Sequence, residues 1–285
     1  MNVADDHTVI YINSMAEYHR VVRHVVNNGR RRSPRGMLTL DAGSTTIVLK
    51  NITQAMPIGL GRKLNPAIGA VEAIQLVAGR ADPELVLKIA PRFKQYLNGG
   101  RFHGSYGARI GKQMLAATRR LTNDPDTRQA IVTLWEPSID TFDGMKDYPC
   151  TIGFNFAVGE HGTLEMNVIM RSNDVWRGFA YDVFQFTQLQ HTLARVLGRW
   201  PGTYRHTTWS MHMYESDIPL AANLTTNLTL YRDTWQPVGF GLPKVNSFNQ
   251  AMVRASMIMR NEEPDDMTES EMWYRDKLHP AADLG

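Results

Sequence analysis

The sequence holds a single cysteine, Cys150. That excludes an internal disulfide and any cysteine-rich zinc site, including the zinc centre of a deaminase. No run approaches the ~18 apolar residues that a helical membrane span needs. The opening MNVADDHTVIYINSMAEYHR has two early aspartates and no basic stretch before an apolar block, so no secretory leader is expected and the expected location is cytoplasmic. A dominant charge is lacking too, because 31 Lys+Arg stand against 28 Asp+Glu, a net +3. Proteins that bind nucleic acid directly gather basic residues on one stripe. The dense cluster here is Arg30, Arg31, Arg32 and Arg35, a size that suits one phosphate group or a solvated loop, so direct nucleic-acid binding is not expected. Internal repeats, linkers and compositional breaks are also missing. Hydrophobic residues at 43% and charged residues at 21% are ordinary globular usage, which excludes disorder, and residues 1–285 read as one domain.

Several segments have a clear period. Met37–Leu49 is rich in β-branched residues around Asp41-Ala42-Gly43, which predicts a hairpin. In Pro66–Ala78, Ile68, Val71, Ile74 and Val77 share a helical face, with Gly79 as the stop. Gln129–Trp135 reads as a strand. Thr151–Val158 and Thr163–Met170 alternate as strands do and are joined by Gly159–Gly162, which predicts an antiparallel pair. Tyr181–Arg199 is the longest helical pattern, with Val183, Phe186, Leu189, Leu193 and Val196 on one face and Gly198 with Pro201 as its stop. Strands and helices mix without a βαβ rhythm, so the fold class expected is α/β (α+β), a mixed sheet with helices packed on it.

Cys150 follows Pro149 at the start of a strand. A lone cysteine is more often a small buried hydrophobe than a nucleophile. A thiol of pKa ~8.5 needs nearby positive charge to react at neutral pH. Arg171 supplies that charge if the strand before it pairs back on Thr151–Val158.

Three motifs in order resemble the thymidylate synthase family. They are Tyr148-Pro149-Cys150-Thr151; Arg171-Ser172-Asn173-Asp174 with Gly178 following; and His212-Met213-Tyr214. The resemblance covers roughly residues 20–235. It implies a single-domain thymidylate synthase-like fold, a homodimer through the sheet, and one-carbon transfer to C5 of a pyrimidine nucleoside monophosphate. The co-substrate implied is 5,10-methylenetetrahydrofolate, with no metal. Cys150 then matches the nucleophile that attacks C6 and turns C5 into an enolate-like carbon. Arg171 and Ser172 match phosphate ligands, and guanidinium geometry suits that group. Arg32 matches a loop arginine, with Arg35 as a nearby rival. Arg128 matches an arginine supplied across the dimer interface to the other subunit's phosphate, although Gln129 stands where the family has a second arginine. Glu72 matches the glutamate that handles protons through ordered water. Tyr106 matches a tyrosine near the nucleophile. Asp174 matches the acidic residue that contacts the folate pterin, and Gly178 and Phe93 fall in the folate-binding segments. His212 and Tyr214 match the pair that binds the sugar 3′-hydroxyl, and a two-residue step in a strand puts both on one face.

Asp182 departs from the family, where asparagine matches uracil's N3–H and O4. A carboxylate instead accepts from cytosine's N4 amine and stabilises a proton on N3. One mismatched buried polar pair costs about 1–3 kcal/mol, enough to choose a base. Asp182 therefore resembles the cytidylate hydroxymethylase branch. As the first turn of a helix it is equally at home for reasons of the dipole. The segment Pro91–Tyr96 has no tryptophan to shield the last intermediate, Thr151 replaces a histidine, and the chain's last residues are His279–Gly285. A wetter site favours water as final acceptor. The expected activity is a deoxycytidylate 5-hydroxymethyltransferase of the kind that bacteriophages use in modifying their DNA, placed in the host cytoplasm. A CMP 5-hydroxymethylase of nucleoside biosynthesis and a thymidylate synthase acting on dUMP are the alternatives. Cys150, Glu72, Arg171 and Asp182 together argue against a non-catalytic nucleotide-binding protein.

Overall fold

The computed structural model describes residues 7–57, 62–226 and 245–280. Its strands in chain order are β1 (His7–Ile12), β2 (Arg30–Arg32), β3 (Thr39–Asp41), β4 (Ser44–Leu49), β5 (Ile131–Thr133), β6 (Thr151–Val158), β7 (Leu164–Met170), β8 (Asn173–Asp174), β9 (Pro201–Thr208) and β10 (Met211–Tyr214). Its helices are α1 (Tyr18–Asn28), α2 (Pro66–Ala78), α3 (Pro83–Ile89), α4 (Gly107–Asn123), α5 (Pro137–Asp140), α6 (Phe179–Val196), α7 (Ile218–Thr226), α8 (Phe248–Met259) and α9 (Glu269–Leu278).

The main sheet has the order β1-β4-β9-β7-β6-β5. It is mixed: β1 with β4 and β7 with β9 run parallel, and the other neighbours antiparallel. This is the expected mixed sheet with packed helices. Alternation divides its two faces. Ile47, Phe154, Phe156, Met166, Val168 and Tyr204 turn inward and are buried, while Thr46, Asn155, Asn167 and Ile169 turn to the other face. Against the inner face lies α6, on β7 and β9; α2 packs on α6, and touches α8 and α9 in turn. Both helices are buried on nearly every side, which is why each reads as apolar beyond a single stripe. Asn65 caps α2 by accepting from the Ala67 N–H at 3.0 Å, Pro66 opens the helix, and Gly79 closes it at φ +64°.

The expected hairpin over Met37–Leu49 does not form. β3 belongs to a second sheet, of order β2-β3-β10-β8, and β4 to the first. Asp41-Ala42-Gly43 is a corner between them, with Gly43 at φ +75°. Ala42 N–H donates to Met211 O at 2.8 Å and Met211 N–H to Gly43 O at 3.0 Å, so the chain's second crossing, from β9 to β10, is stitched to the first. The strand read over Gln129–Trp135 is confined to β5, because Leu134 and Trp135 N–H both donate to Ile152 O and end the ladder. The β6–β7 pairing forms as read, with a register shift between Thr151 and Gly153. Such a shift redirects the end of a strand, and here that end is Cys150.

Candidate active site

Cys150 is half-buried at the rim of the main sheet. The β6–β7 ladder puts Arg171 beside it, with Arg171 N–H donating to Cys150 O at 2.8 Å. The Arg171 side chain is held by Pro149 O at 3.0 Å, Tyr148 O at 3.3 Å and Ser172 Oγ at 3.3 Å. Ser172 Oγ lies 3.9 Å from Cys150 Sγ and donates to it. The charge expected near the thiol is therefore present, but it does not dominate. Burial pushes the Cys150 thiol up, the Arg171 guanidinium pulls it down, and Asp182 pushes it up again. The net shift is upward, so at rest Cys150 is a thiol.

One carboxyl, Asp182, acts directly on this thiol, and a second, Glu72, is in turn influenced by Asp182. Glu72 comes from the middle of α2 and Asp182 from the first turn of α6. Both are largely enclosed by protein. Burial raises Glu72 to about 8, with the Asp182 charge as the second cause. Burial also raises Asp182 to about 7, against hydrogen bonds from Asn173 at 2.6 Å and Gln185 at 3.1 Å. Tyr106 sits at the head of α4, stacked on Phe186 at 5.9 Å, and its hydroxyl is raised by burial and by the charges of Asp182 and Cys150. It is pressed toward α2 because Gly107 next to it leaves no room for a side chain: a Cβ there would lie 2.2 Å from Arg80 O and 2.4 Å from Gln75 O. The structure thus brings Cys150, Arg171, Ser172, Glu72, Asp182 and Tyr106 together.

The second sheet supplies an adjoining wall. Met211 and Met213 are buried, so His212 and Tyr214 share the opposite face, their rings 5.9 Å apart. His212 is in register with Asp174 on β8 and with Asp41 on β3. Asp174 Oδ1 accepts the Trp176 and Arg177 N–H groups at 2.8 and 2.9 Å, and its Oδ2 is buried without a partner. That orphaned acceptor fits a ligand rich in N–H donors, as a pterin is. Arg32 Nε is 3.4 Å from Asp41 Oδ2, and Ser210 links Asp41 (3.0 Å) to His212 Nδ1 (3.5 Å), so Arg32 is wired to the His212 wall. Arg35 is exposed one step away at φ +53°. Gly178 begins α6, and a Cβ there would face Asp182 Oδ2 at 3.4 Å, so its lack of a side chain leaves space over that carboxyl.

Phe93 lies in a 3-10 turn, Pro91–Tyr96, with the Arg92 guanidinium over its ring at 5.5 Å. Next to that turn is a cleft of about 250 Å³ lined by Lys63, Asn65, Ile89, Pro91, Arg92 and Tyr181. Its apolar floor and two cations suit an aromatic ligand with an anionic tail, and Tyr181 adjoins Asp182, so the donor set fits a folate. Arg128 stands apart, exposed just ahead of the edge strand β5, and among the described residues no ion pair involves it. Asn173, Gln185 and the pair Lys63–Arg92 were not singled out from the sequence. Asn173 lies inside the Arg171–Asp174 motif and Gln185 is three residues after Asp182, a same-face spacing on a helix.

Residues 16–233 match the sequence profile of the family described as Thymidylate synthase. That span is most of the chain, and the protein belongs to the thymidylate synthase family. It is 27% identical over 223 residues to a deoxyuridylate hydroxymethyltransferase of Pseudomonas phage M6, covering 75% of this chain and 64% of that protein. It is 28% identical over 218 residues to a deoxyuridylate hydroxymethyltransferase of Bacillus phage SP01, covering 70% and 57%. A thymidylate synthase of Bacillus licheniformis is 32% identical over 133 residues, covering 43% and 47%. The chain therefore spans less than two thirds of the length of these relatives.

Proposed function

We propose that this protein transfers a hydroxymethyl group to C5 of dCMP, using 5,10-methylenetetrahydrofolate and water and releasing 5-hydroxymethyl-dCMP and tetrahydrofolate. The observation that carries the substrate is Asp182, a carboxyl where uracil would call for an amide. The folate, when bound, supplies the one-carbon unit. Arg171, Ser172 and Arg32 hold the phosphate, and His212 and Tyr214 the sugar. Cys150 gives its proton to water and adds as the thiolate to C6 of the base; C5, made nucleophilic, bonds to the one-carbon unit as that carbon's bond to the folate nitrogen breaks. Glu72, whose carboxyl keeps its proton at neutral pH, serves as general acid toward the departing folate nitrogen, and Tyr106 assists removal of the C5 proton. Water then adds to the exocyclic carbon and the C6–S bond breaks, returning the thiol. Water as acceptor is supported by the exposed turn Pro91–Tyr96, which offers Arg92, Lys94 and Tyr96 rather than a tryptophan lid, and by the hydroxymethyl transfer named for both phage relatives. The reading includes a homodimer through the outer face of the main sheet, in which Arg128 completes the second subunit's phosphate site.

A second reading, hydroxymethyl transfer to dUMP, is favoured by those relatives' names and by one property of Asp182. Burial holds its carboxyl at about 7, and a protonated carboxyl has one O–H and one C=O, the same set as an amide. Incubation with methylenetetrahydrofolate and dCMP, CMP or dUMP, read by product mass, tests the proposal. A hydroxymethyl gain on dCMP is expected. The same gain on CMP would move the sugar preference, and on dUMP alone would establish the second reading. A methyl gain on dUMP would make the protein a thymidylate synthase and sink the water argument, and no product from any of the three would return the chain to nucleotide binding without catalysis.

A further inference from the structure

Asp182 is surrounded by groups that do not favour a negative charge. Glu72 faces it from α2, Cys150 from the start of β6, Tyr106 from the head of α4, Asp174 from β8 and Tyr204 from β9. Among the described residues no cation is seen to act on it; what opposes burial is a pair of amides. Asn173, 3% exposed, donates Nδ2–H to Asp182 Oδ2 at 2.6 Å. Gln185, 5% exposed, donates Nε2–H to Asp182 Oδ1 at 3.1 Å. Each carboxylate oxygen thus receives one N–H and keeps lone pairs for a ligand. The other end of the Asn173 amide, Oδ1, is buried with no hydrogen-bond partner. Oδ1 is out of a ligand's reach, so this amide acts on the site through its N–H to Asp182.

We infer that Asn173 and Gln185 are specificity-determining positioning residues, which hold Asp182 as an acceptor-only carboxylate, so that the pocket selects a base bearing an exocyclic amine. Such an amine donates an N–H to the lone pairs that the carboxylate keeps free. A carbonyl in its place meets acceptors alone. This rests on the cytidylate reading above. It goes beyond that reading because it assigns the choice of base to two amides as well as to the carboxyl they hold. Two N–H donors favour the ionised form of a carboxyl, so removing either shifts Asp182 toward the protonated form, which matches uracil.

The test is the ratio of kcat/KM for dCMP to that for dUMP, measured across about pH 5.5 to 9, in wild type, Asp182→Asn, Asn173→Leu and Gln185→Met. Gln185→Met keeps length and helix propensity, so it serves if Asn173→Leu does not fold. Both amide variants are expected to lower the dCMP:dUMP ratio at neutral pH by about 5- to 150-fold and to move the pH at which the ratio changes upward. A merely structural role would lower both activities together and leave that pH in place. Wild type that prefers dCMP, an Asp182→Asn variant that loses the preference, and amide variants with unchanged ratio and profile would overturn this inference alone. Wild type with no preference for dCMP over dUMP would overturn the cytidylate reading and this inference with it.

Discussion

Two ionisable side chains at the centre of the site are held in protonated form against their ordinary behaviour, and each yields a measurement. The Cys150 thiol is raised because burial outweighs Arg171. Alkylation of the free enzyme by iodoacetamide should therefore accelerate with pH beyond the range of an exposed cysteine, and Arg171→Met should slow it further at every pH below the plateau. A variant that reacts as fast as wild type would mean that the guanidinium does not reach the sulfur. Glu72 is raised from 4.5 to about 8. The sign for stability follows from proton binding: between those values the folded state holds a proton that the unfolded chain has released, so the folded state loses stability as pH rises through the window. Glu72→Gln removes this liability. Its unfolding free energy should exceed that of wild type above about pH 8, by at least the ~1.4 kcal/mol that one unit represents, with a higher melting temperature, and should match wild type below about pH 4.5. The same variant should lose about 10²- to 10⁴-fold in kcat, the usual worth of a positioned proton donor. Equal melting temperatures at alkaline pH would show that Glu72 is not desolvated.

At the scale of elements, the segment that delivers Cys150 is fastened by a buried ion cluster. Asp140, 3% exposed at the end of α5, accepts from Arg109 of α4 at 2.6 and 3.0 Å, from His103 Nε2 at 2.7 Å and from the Glu136 N–H at 2.7 Å. Arg109 also donates to His103 O and Leu134 O. Burial alone would raise Asp140, but Arg109, Glu136 and His103 together hold it below the ordinary carboxylate range. The cluster ties the loop before Cys150 to the loop that carries Tyr106. Asp140→Ala leaves the Arg109 charge buried, so it should cost about 3–5 kcal/mol in urea unfolding; a loss under about 1 kcal/mol would mean that water replaces the carboxylate. Stability held by Asp140 should fade as pH drops through and below the ordinary carboxylate pKa. None of this was legible in the sequence, where His103, Arg109 and Asp140 follow no common spacing. Long elements were legible. Pro66–Ala78 is a helix to the residue, and the β6–β7 pair and α6 follow their apolar periods, because each packs a full face on the core. The second sheet was not, since its strands are two to four residues long and Arg30–Arg32 is exposed throughout, too short for alternation to register. Its corner at Gly43 looked like a hairpin turn because the same glycine conformation serves both. At the site, the motif residues Cys150, Arg171, Asp174, His212 and Tyr214 announced themselves by their order along the chain. Asn173 and Gln185 did not, because a buried amide has no sequence signature apart from its partner.

At the scale of the whole molecule, the outer face of the main sheet and the isolation of Arg128 belong to one argument. That face carries Thr46, Asn155 and Asn167 with the apolar Ile131 and Ile169, which are 52% and 44% exposed. A second copy related by a two-fold axis would cover both isoleucines at once, since an isologous contact uses the same patch twice. Arg128 precedes β5 at the edge of the same sheet, far in sequence from the Arg171 it would assist. If it serves the other subunit's site, two crippled chains can repair each other. Cys150→Ala has no nucleophile but a sound Arg128; Arg128→Ala has the reverse defect. Mixed and re-equilibrated in equal amounts, half of the dimers are hybrids, and each hybrid has one site with both residues intact, so activity should recover to about a quarter of wild type. Sedimentation should give a dimer for both variants, while Ile169→Asp should give monomers with weakened nucleotide binding. Recovery that fails although hybrids form would place Arg128 in its own subunit's site or outside the site altogether. Recovery without any dimer in sedimentation would overturn the cross-subunit role, because Arg128 can complete a neighbouring site only while two chains are held together.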